Sequence, residues 1–345
     1  MGVVSLPVDG GIELDDLDLD LVAALQEAPR APINTLAEAV GSSPSTVGRR
    51  LQRLHAERVL RVIGALDWSL ISEHHPRHVW ITTEPGQLQD VARRLAEFPE
   101  AQYVAMTTGR ADVYCTVRPL RREAIKDLLT RRIPSVPGVV STQSDLVLKP
   151  FGRAEAWRLD RLDDDQRSVL APHRIEYQES DDPQPLSEQE QEAARLLHAD
   201  ARLTSSELSR ALGVSQSTAH RLITGLLERR VVRPRVEVEP ALLGFHLEAT
   251  LSLATEPGST EAVGRALGRH PSARYVSMVA GNATVIHQGV FRNEEHLADF
   301  LCGDLAALSG IRAVEVSVVL DVLRRYWITR TGTRLGEANL PLGAE

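Results

Sequence analysis

The chain repeats itself. Pro85-Gly86 recurs as Pro257-Gly258, Tyr103-Val104 as Tyr275-Val276, and Gly41, Gly109 and Gly138 as Gly213, Gly281 and Gly310, each pair 172 positions apart. The same shift superposes Ser45-Thr46 on Ser217-Thr218, Arg49 on Arg221 and Leu54 on Leu226 without a gap. A fixed offset held this long is the mark of a tandem duplication, so whatever one half folds into, the other must fold into as well. The joint is expected between Gly152 and Pro185, where Gln178-Glu-Ser-Asp-Asp-Pro-Gln-Pro185 reads as a solvated linker.

Each repeat changes period partway. Leu17, Leu21, Val22 and Leu25 mark one apolar face, Ile33, Leu36 and Val40 a second, and Val47, Leu51 and Leu54 a third, at helical spacing. Gly41 suits a helix C-terminus, Ser43 the cap of the next helix and Pro44 its first turn, which predicts a helix-turn-helix. Arg61 to Leu66 adds a strand or wing. In repeat two Leu208, Leu212, Gly213, Ser215, Ala219, Ile223 and Leu226 hold the matching places. Strand patterns then appear at Val79–Thr83, Ala101–Thr107, Asp112–Val117 and Val139–Leu148. Helical ones lie between them at Gln87–Phe98 and across Ile125, Leu128, Leu129 and Ile133.

That order is β-α-β-β-α-β, the ferredoxin-like layout, echoed from Leu247 to Leu323. One sheet face is covered by helices, and the other is expected to be buried against the second repeat. The predicted class is α+β, with two tandem repeats of a winged helix-turn-helix followed by a ferredoxin-like domain. Expected units are a helix-turn-helix domain over 1–68, a ferredoxin-like domain over 69–151, an acidic linker over 152–185, a second helix-turn-helix over 186–240, a second ferredoxin-like domain over 241–326 and a tail over 327–345.

The formal net charge of −8 argues at first against nucleic acid, but its distribution decides more than its sum. The segment Glu155–Glu192 holds 12 acidic and 4 basic residues, a surplus equal to the charge of the whole chain. Pro44–Arg61 carries Arg49, Arg50, Arg53, Arg58 and Arg61 against Glu57 alone, and Gln216–Arg233 carries Arg221, Arg229, Arg230 and Arg233 against Glu228. Lys126 and Lys149 are the only lysines, so the basic complement is nearly all arginine, whose fork fits phosphates and base edges. A general preference for arginine would give the same count.

With Val47, Leu51 and Leu54 committed to a core, the other face of their helix presents Ser45, Thr46, Arg49, Arg50 and Arg53. The second helix of such a motif lies in the major groove, so these are the expected contacts to double-stranded DNA. Repeat two offers Gln216, Ser217, His220, Arg221 and Thr224, with Leu222 and Gly225 in place of Arg50 and Arg53. The first reader is therefore expected to grip more strongly. Asp112, after the Gly109 turn, either accepts a bond from a ligand ammonium or caps the hairpin.

Other chemistry is thinly signalled. No Walker loop, G-x-G-x-x-G or G-x-S-x-G is present, and no cofactor, metal or catalytic residue is expected. His74-His75-Pro76-Arg77-His78 reads as a surface loop, Cys115 and Cys302 as buried small hydrophobes, and Trp80, Trp157 and Trp327 as packing residues. No apolar run nears the ~20 residues that span a bilayer, and the first residues lack a leader pattern, so a cytosolic protein without a membrane partner is expected.

Leu14-Asp-Asp-Leu-Asp18, Gly41-Ser-Ser-Pro-Ser-Thr-Val-Gly-Arg-Arg-Leu51, Pro85-Gly86, Tyr103-Val104, Thr108-Gly-Arg-Ala-Asp112 and Pro137-Gly-Val139 together resemble the Lrp/AsnC transcriptional regulators. Both repeats match. The resemblance implies paired effector domains, a homo-oligomer, and an amino acid or related molecule bound near Thr108, Gly109, Arg110, Asp112, Gly281 and Asn282. Family turns commonly read Gly, an acidic residue, an aromatic, then Asp; here Arg110 and Ala111 fill the middle, and the second turn is Gly281-Asn-Ala-Thr284. The two-part architecture also resembles tetrapyrrole decarboxylases of haem synthesis, the alternative reading. Where those are rich in histidine and aromatic residues, this chain has Tyr114-Cys115 and Ile286-His287-Gln288.

Overall fold

A computed structural model describes residues 12–66, 75–118, 122–153, 156–174 and 185–340. Its first half runs α1 (Asp16–Glu27), α2 (Ile33–Ala39), α3 (Pro44–Ala56), β1 (Leu60–Leu66), β2 (Arg77–Thr83), α4 (Leu88–Ala96), β3 (Ala101–Thr107), β4 (Val113–Val117), α5 (Arg122–Asp127) and β5 (Val139–Gly152). After α6 (Asp164–Leu170) the order returns as α7 (Glu188–Ala199), α8 (Ser205–Leu212), α9 (Gln216–Glu228), β6 (Val232–Val238), β7 (Leu247–Thr255), α10 (Thr260–Gly268), β8 (Ala273–Ala280), β9 (Val285–Phe291), α11 (Glu294–Asp299) and β10 (Ile311–Arg325). A hairpin of β11 (Ile328–Thr331) and β12 (Arg334–Ala338) closes the described chain.

Local chemistry sets the helix ends. Asp15 and Asp18 exchange bonds as a capping box on α1, as Ser187 and Glu190 do on α7. Ser43 accepts from the Thr46 amide at 3.2 Å at the start of α3, and Ser215 from Thr218 at 3.1 Å at the start of α9. Gly41 and Gly213 take the left-handed conformation that ends the helix before each turn, at φ of 63° and 65°.

The two halves are joined by strand pairing. β1 and β6 form an antiparallel ribbon with Ile63 opposite Arg235, residues one repeat offset apart, so a pseudo-twofold axis passes through that pair. The long strands β5 and β10 each work twice. The first part of β5 pairs with β2 and its last part with β8; β10 pairs likewise with β7 and then β3. Those exchanges close a ring of eight strands, β3-β4-β2-β5-β8-β9-β7-β10. Period-2 alternation sends Val79 and Ile81 outward under α4 and the turn after α5 that holds Leu128 and Ile133, and Trp80 inward beside Tyr103 and Tyr114 of its own repeat to meet Val279 and Ile286 of the other. The open sheet face is thus buried against the other repeat.

Four expectations need correction. Within the expected linker, residues 156–174 are folded: Trp157, Leu162 and Leu170 enter the core of the first helical unit, and Asp163 caps α6 with Gln166. Apolar anchors among the acids decide this, and the acids face outward; 178–184 lie outside the described residues. The expected tail instead builds β11 and β12, whose Ile328 and Leu335 bury with Ile63. His78 is not in a surface loop but fully buried in β2, its ring between Tyr114 and Ser277; His74 lies outside the described residues. Cys302 is exposed, while Cys115 is buried, its thiol pushed up to about 12 by desolvation. Trp80, Trp157 and Trp327 are all buried.

Candidate DNA-reading helices and effector cleft

On α3 the apolar stripe is spent on Val47 and Leu54, leaving Ser45, Arg49 and Arg53 exposed and Thr46 and Arg50 half-buried. The exposed hydroxyls are already organised, with Ser43 Oγ 3.0 Å from Ser45 Oγ and 2.9 Å from Thr46 Oγ1. The three arginines differ. Arg50 donates to Asp15 at 2.8 and 2.7 Å and to Asp18 at 2.9 Å, and Arg53 pairs with Asp18, whose carboxylate is 1% exposed. The Asp18 amide and Arg50 together hold the Asp15 carboxyl below its ordinary range. Arg49 has no polar partner among the described residues and projects from the face. From sequence the three arginines look like one patch, because nothing local shows that the α1 cap lies beside α3.

On α9, Gln216, Ser217, His220 and Arg221 are exposed and Thr224 half-buried. His220 Nδ1 lies 3.4 Å from Ser205 Oγ, and Ser217 Oγ 2.9 Å from Ser215 Oγ. Glu190, the mate of Asp18, pairs with Arg229.

The Gly109 and Gly281 turns lie beside each other's repeats. Thr108 N–H donates to Val318 O at 2.9 Å, and a Cβ on Gly109 would meet Val316 O at 2.7 Å. A Cβ on Gly281 would strike the Asp145 carboxylate, which accepts from Asn282 N–H at 2.9 Å and from Trp80 Nε1 at 2.9 Å. Glycine is needed at both places for close approach. Asp112 is turned away from this cleft. Its carboxylate accepts from Thr83 N–H at 2.7 Å and Thr83 Oγ1 at 3.2 Å, and its mate Thr284 likewise accepts from Thr255 N–H at 2.9 Å.

Arg110 dominates what remains open. Its guanidinium lies over the Trp80 ring at 4.8 Å and donates to Ser252 and Gln143, each at 3.2 Å, with Glu315 at 3.8 Å. Asn282 Nδ2 reaches the same Gln143 oxygen at 3.1 Å. Together they line a cleft of about 360 Å³. Gln143, Ser252 and Glu315 were not anticipated from sequence; each sits on a strand, and only the cross-repeat pairing brings them to the turns. The cleft offers a cation, an anion and amide groups within one opening, the complement of a small zwitterion. Among the described residues no His, Cys, Asp or Glu cluster could hold a metal ion, and no helix is long and apolar enough to cross a membrane.

Comparison with known proteins follows this division. Residues 14–55 match the AsnC-type helix-turn-helix domain, and 78–156 and 248–327 each match the Lrp/AsnC ligand binding domain. Residues 194–235 match a different model, the IclR helix-turn-helix domain. The HTH-type transcriptional regulator FL11 of Pyrococcus horikoshii is 28% identical over 139 residues, 40% of this chain and 91% of its own. The uncharacterized HTH-type transcriptional regulator YugG of Bacillus subtilis is 24% identical over 167 residues, 47% of this chain and all of its own. In three dimensions the siroheme decarboxylase NirDL covers 92% of this chain and 94% of its own with a TM-score of 0.60, at 13% identity, a likeness of fold.

Proposed function

Because the chain belongs to the Lrp/AsnC family of helix-turn-helix transcriptional regulators, we propose that it reads DNA with α3 and α9 together, as a dimer fused into one chain. Ser45, Thr46 and Arg49 serve as the groove-facing set of the first reader. Gln216, Ser217, His220, Arg221 and Thr224 serve the second. Arg50 and Arg53 stiffen the first reader through Asp15 and Asp18 and add positive potential. The observation that carries this reading is the β1–β6 ribbon, which fixes two helix-turn-helix units about one axis. Such an arrangement fits an imperfect palindrome with half-sites one helical turn, ~34 Å, or a multiple of it apart. Nuclease protection on bound DNA tests it, with two unequal protected half-sites expected and a single one against it.

The effector is proposed to be a free amino acid or close relative, its carboxylate on Arg110 and its ammonium near Glu315, in the cleft where both repeats meet. Calorimetric titration with the pooled and then separate amino acids tests this; heat that persists in Arg110→Ala would move the site elsewhere. Further assembly of chains into homo-oligomers is proposed from family habit. The fold likeness to the siroheme decarboxylase supports a second reading, chemistry on a tetrapyrrole. Its test is colour: a sharp absorption band on adding an iron tetrapyrrole supports it, and an unchanged spectrum removes it.

A further inference from the structure

At the other end of β3 and β4 from the Gly109 turn, the ring of strands borders a second, smaller cavity of about 60 Å³. It straddles the pseudo-twofold axis, since Tyr103 and its mate Tyr275 both line it, as do Gln102 and its mate Arg274. The repeats have diverged here toward positive charge. Arg274 replaces Gln102, and Arg118 stands where the second repeat has Val290.

The charges around this space, with Arg274 and Arg325 buried and Arg118 half-buried, are not all matched. Arg325 is held by both oxygens of Glu248, at 2.8 and 2.6 Å, so its counter-charge is in contact, while its Nη1 has no hydrogen-bond partner among the described residues. Arg118 donates its Nε to the neutral Gln102 oxygen at 2.9 Å; desolvation disfavours its charge, Tyr275 and Tyr326 favour it, and Arg153 and Arg233 repel it, with no carboxylate among these neighbours. Arg274 is 7% exposed, lies 4.8 Å over the Trp157 ring, and has no hydrogen bond or ion pair among the described residues. Burial, reinforced by Arg325, holds its guanidinium down to about 10. A buried charge ordinarily has a counter-charge in contact, because desolvation without one costs several kcal/mol.

We propose that this cavity is a binding site for a small oxyanion, a carboxylate or inorganic phosphate, held between Arg118 and Arg274. Planar guanidiniums match two oxygens of such an ion at once. Tyr103 lines the same space and stays protonated, burial raising its hydroxyl well above the usual range, so it remains a donor. The volume of about 60 Å³ suits an ion the size of acetate or phosphate. It therefore differs from the Arg110 cleft in place, in lining and in the size of its occupant.

The test is thermal unfolding of the full chain in sodium phosphate and in sodium acetate, each against sodium chloride at equal ionic strength. The wild type is expected to show a saturable rise in Tm with at least one of the two, phosphate alone indicating a tetrahedral ion and acetate alone a carboxylate. Arg274→Gln and Arg118→Gln should weaken that binding at least tenfold, and the surface variant Arg93→Gln should keep it. No rise beyond chloride with either anion, or a full rise retained in Arg274→Gln, overturns the proposal. Should either variant fail to fold, wild-type crystals soaked in selenate decide it: an anomalous peak between Arg118 and Arg274 supports the site, and an empty cavity overturns it.

Discussion

Arg30 and Arg202 are mates across the pseudo-twofold axis, and each clasps the other's loop. Arg30 donates to the carbonyls of Ala201 and Leu203, the latter at 3.2 Å; Arg202 donates to those of Pro29 and Ala31 at 2.7 and 2.9 Å. The carbonyls are themselves one repeat offset apart, so the contact is a symmetric handshake between the two helical units. Charge-assisted bonds of this kind contribute about 1.5–3 kcal/mol each when the acceptors are shielded.

Removing one hand should loosen the readers relative to each other. Arg202→Ala is expected to lower stability by about 1–3 kcal/mol in urea. It should also erode discrimination between operators whose half-sites differ in spacing. Unchanged spacing preference, measured by fluorescence anisotropy on a set of such duplexes, would show that the ribbon alone orients them.

The α3 arginines are expected to separate into two behaviours. Arg49→Ala should weaken DNA binding and reduce the salt slope by about 0.9, one phosphate's worth, with stability unmoved. Asp18→Ala removes the carboxylate shared by Arg50 and Arg53 and should cost about 1–3 kcal/mol of stability. Equal slopes for Arg49→Ala and wild type would take Arg49 off the phosphate backbone.

Asp112 is bonded as a hairpin cap. Asp112→Thr copies the second repeat, where Thr284 makes the same bond to Thr255, and should stay within about 1 kcal/mol of wild type. Asp112→Ala should cost about 1–3 kcal/mol, while effector binding by calorimetry stays unchanged in both. Loss of binding in the threonine variant would return Asp112 to the ligand.

Acid should destabilise the fold earlier than carboxylates alone would. Burial holds His78 and His287 down to about 3 and His198 to about 4, against about 6.5 for an exposed histidine. Below pH ~6.5 the unfolded chain takes up protons that these rings refuse, so the contribution is complete above that pH and falls as pH drops toward 3–4. Each histidine then removes roughly 1.4 kcal/mol per pH unit. His287 has neither ring nitrogen hydrogen-bonded among the described residues, so His287→Leu should flatten the fall in urea midpoint between pH 7 and 5. A slope unchanged in that variant would mean that His287 is charged or exposed in solution.

Much of this was legible in sequence because it is local or periodic. The offset of 172 positions, the Ser43 and Ser215 caps and the Gly41 and Gly213 turns need only near neighbours. What escaped reading depends on pairing between distant segments. Nothing in β1 alone announces β6 as its partner, and Arg50 looks like a free cation until Asp15 is brought beside it. The acidic segment misled because charge density outweighed three apolar anchors, Trp157, Leu162 and Leu170. The proposed effector cleft is half legible: sequence marks the glycine turns that border it, but Gln143, Ser252 and Glu315 come from strands whose register is not encoded locally.

One chain is proposed to read DNA at two related half-sites. Selection of fragments from the source genome with purified protein, sequenced and repeated at two salt concentrations, tests it most directly. Enriched fragments sharing a dyad-like motif, with affinity falling steeply as salt rises, are expected. No enrichment, with or without pooled amino acids, would contradict it and reduce both helix-turn-helix units to scaffold.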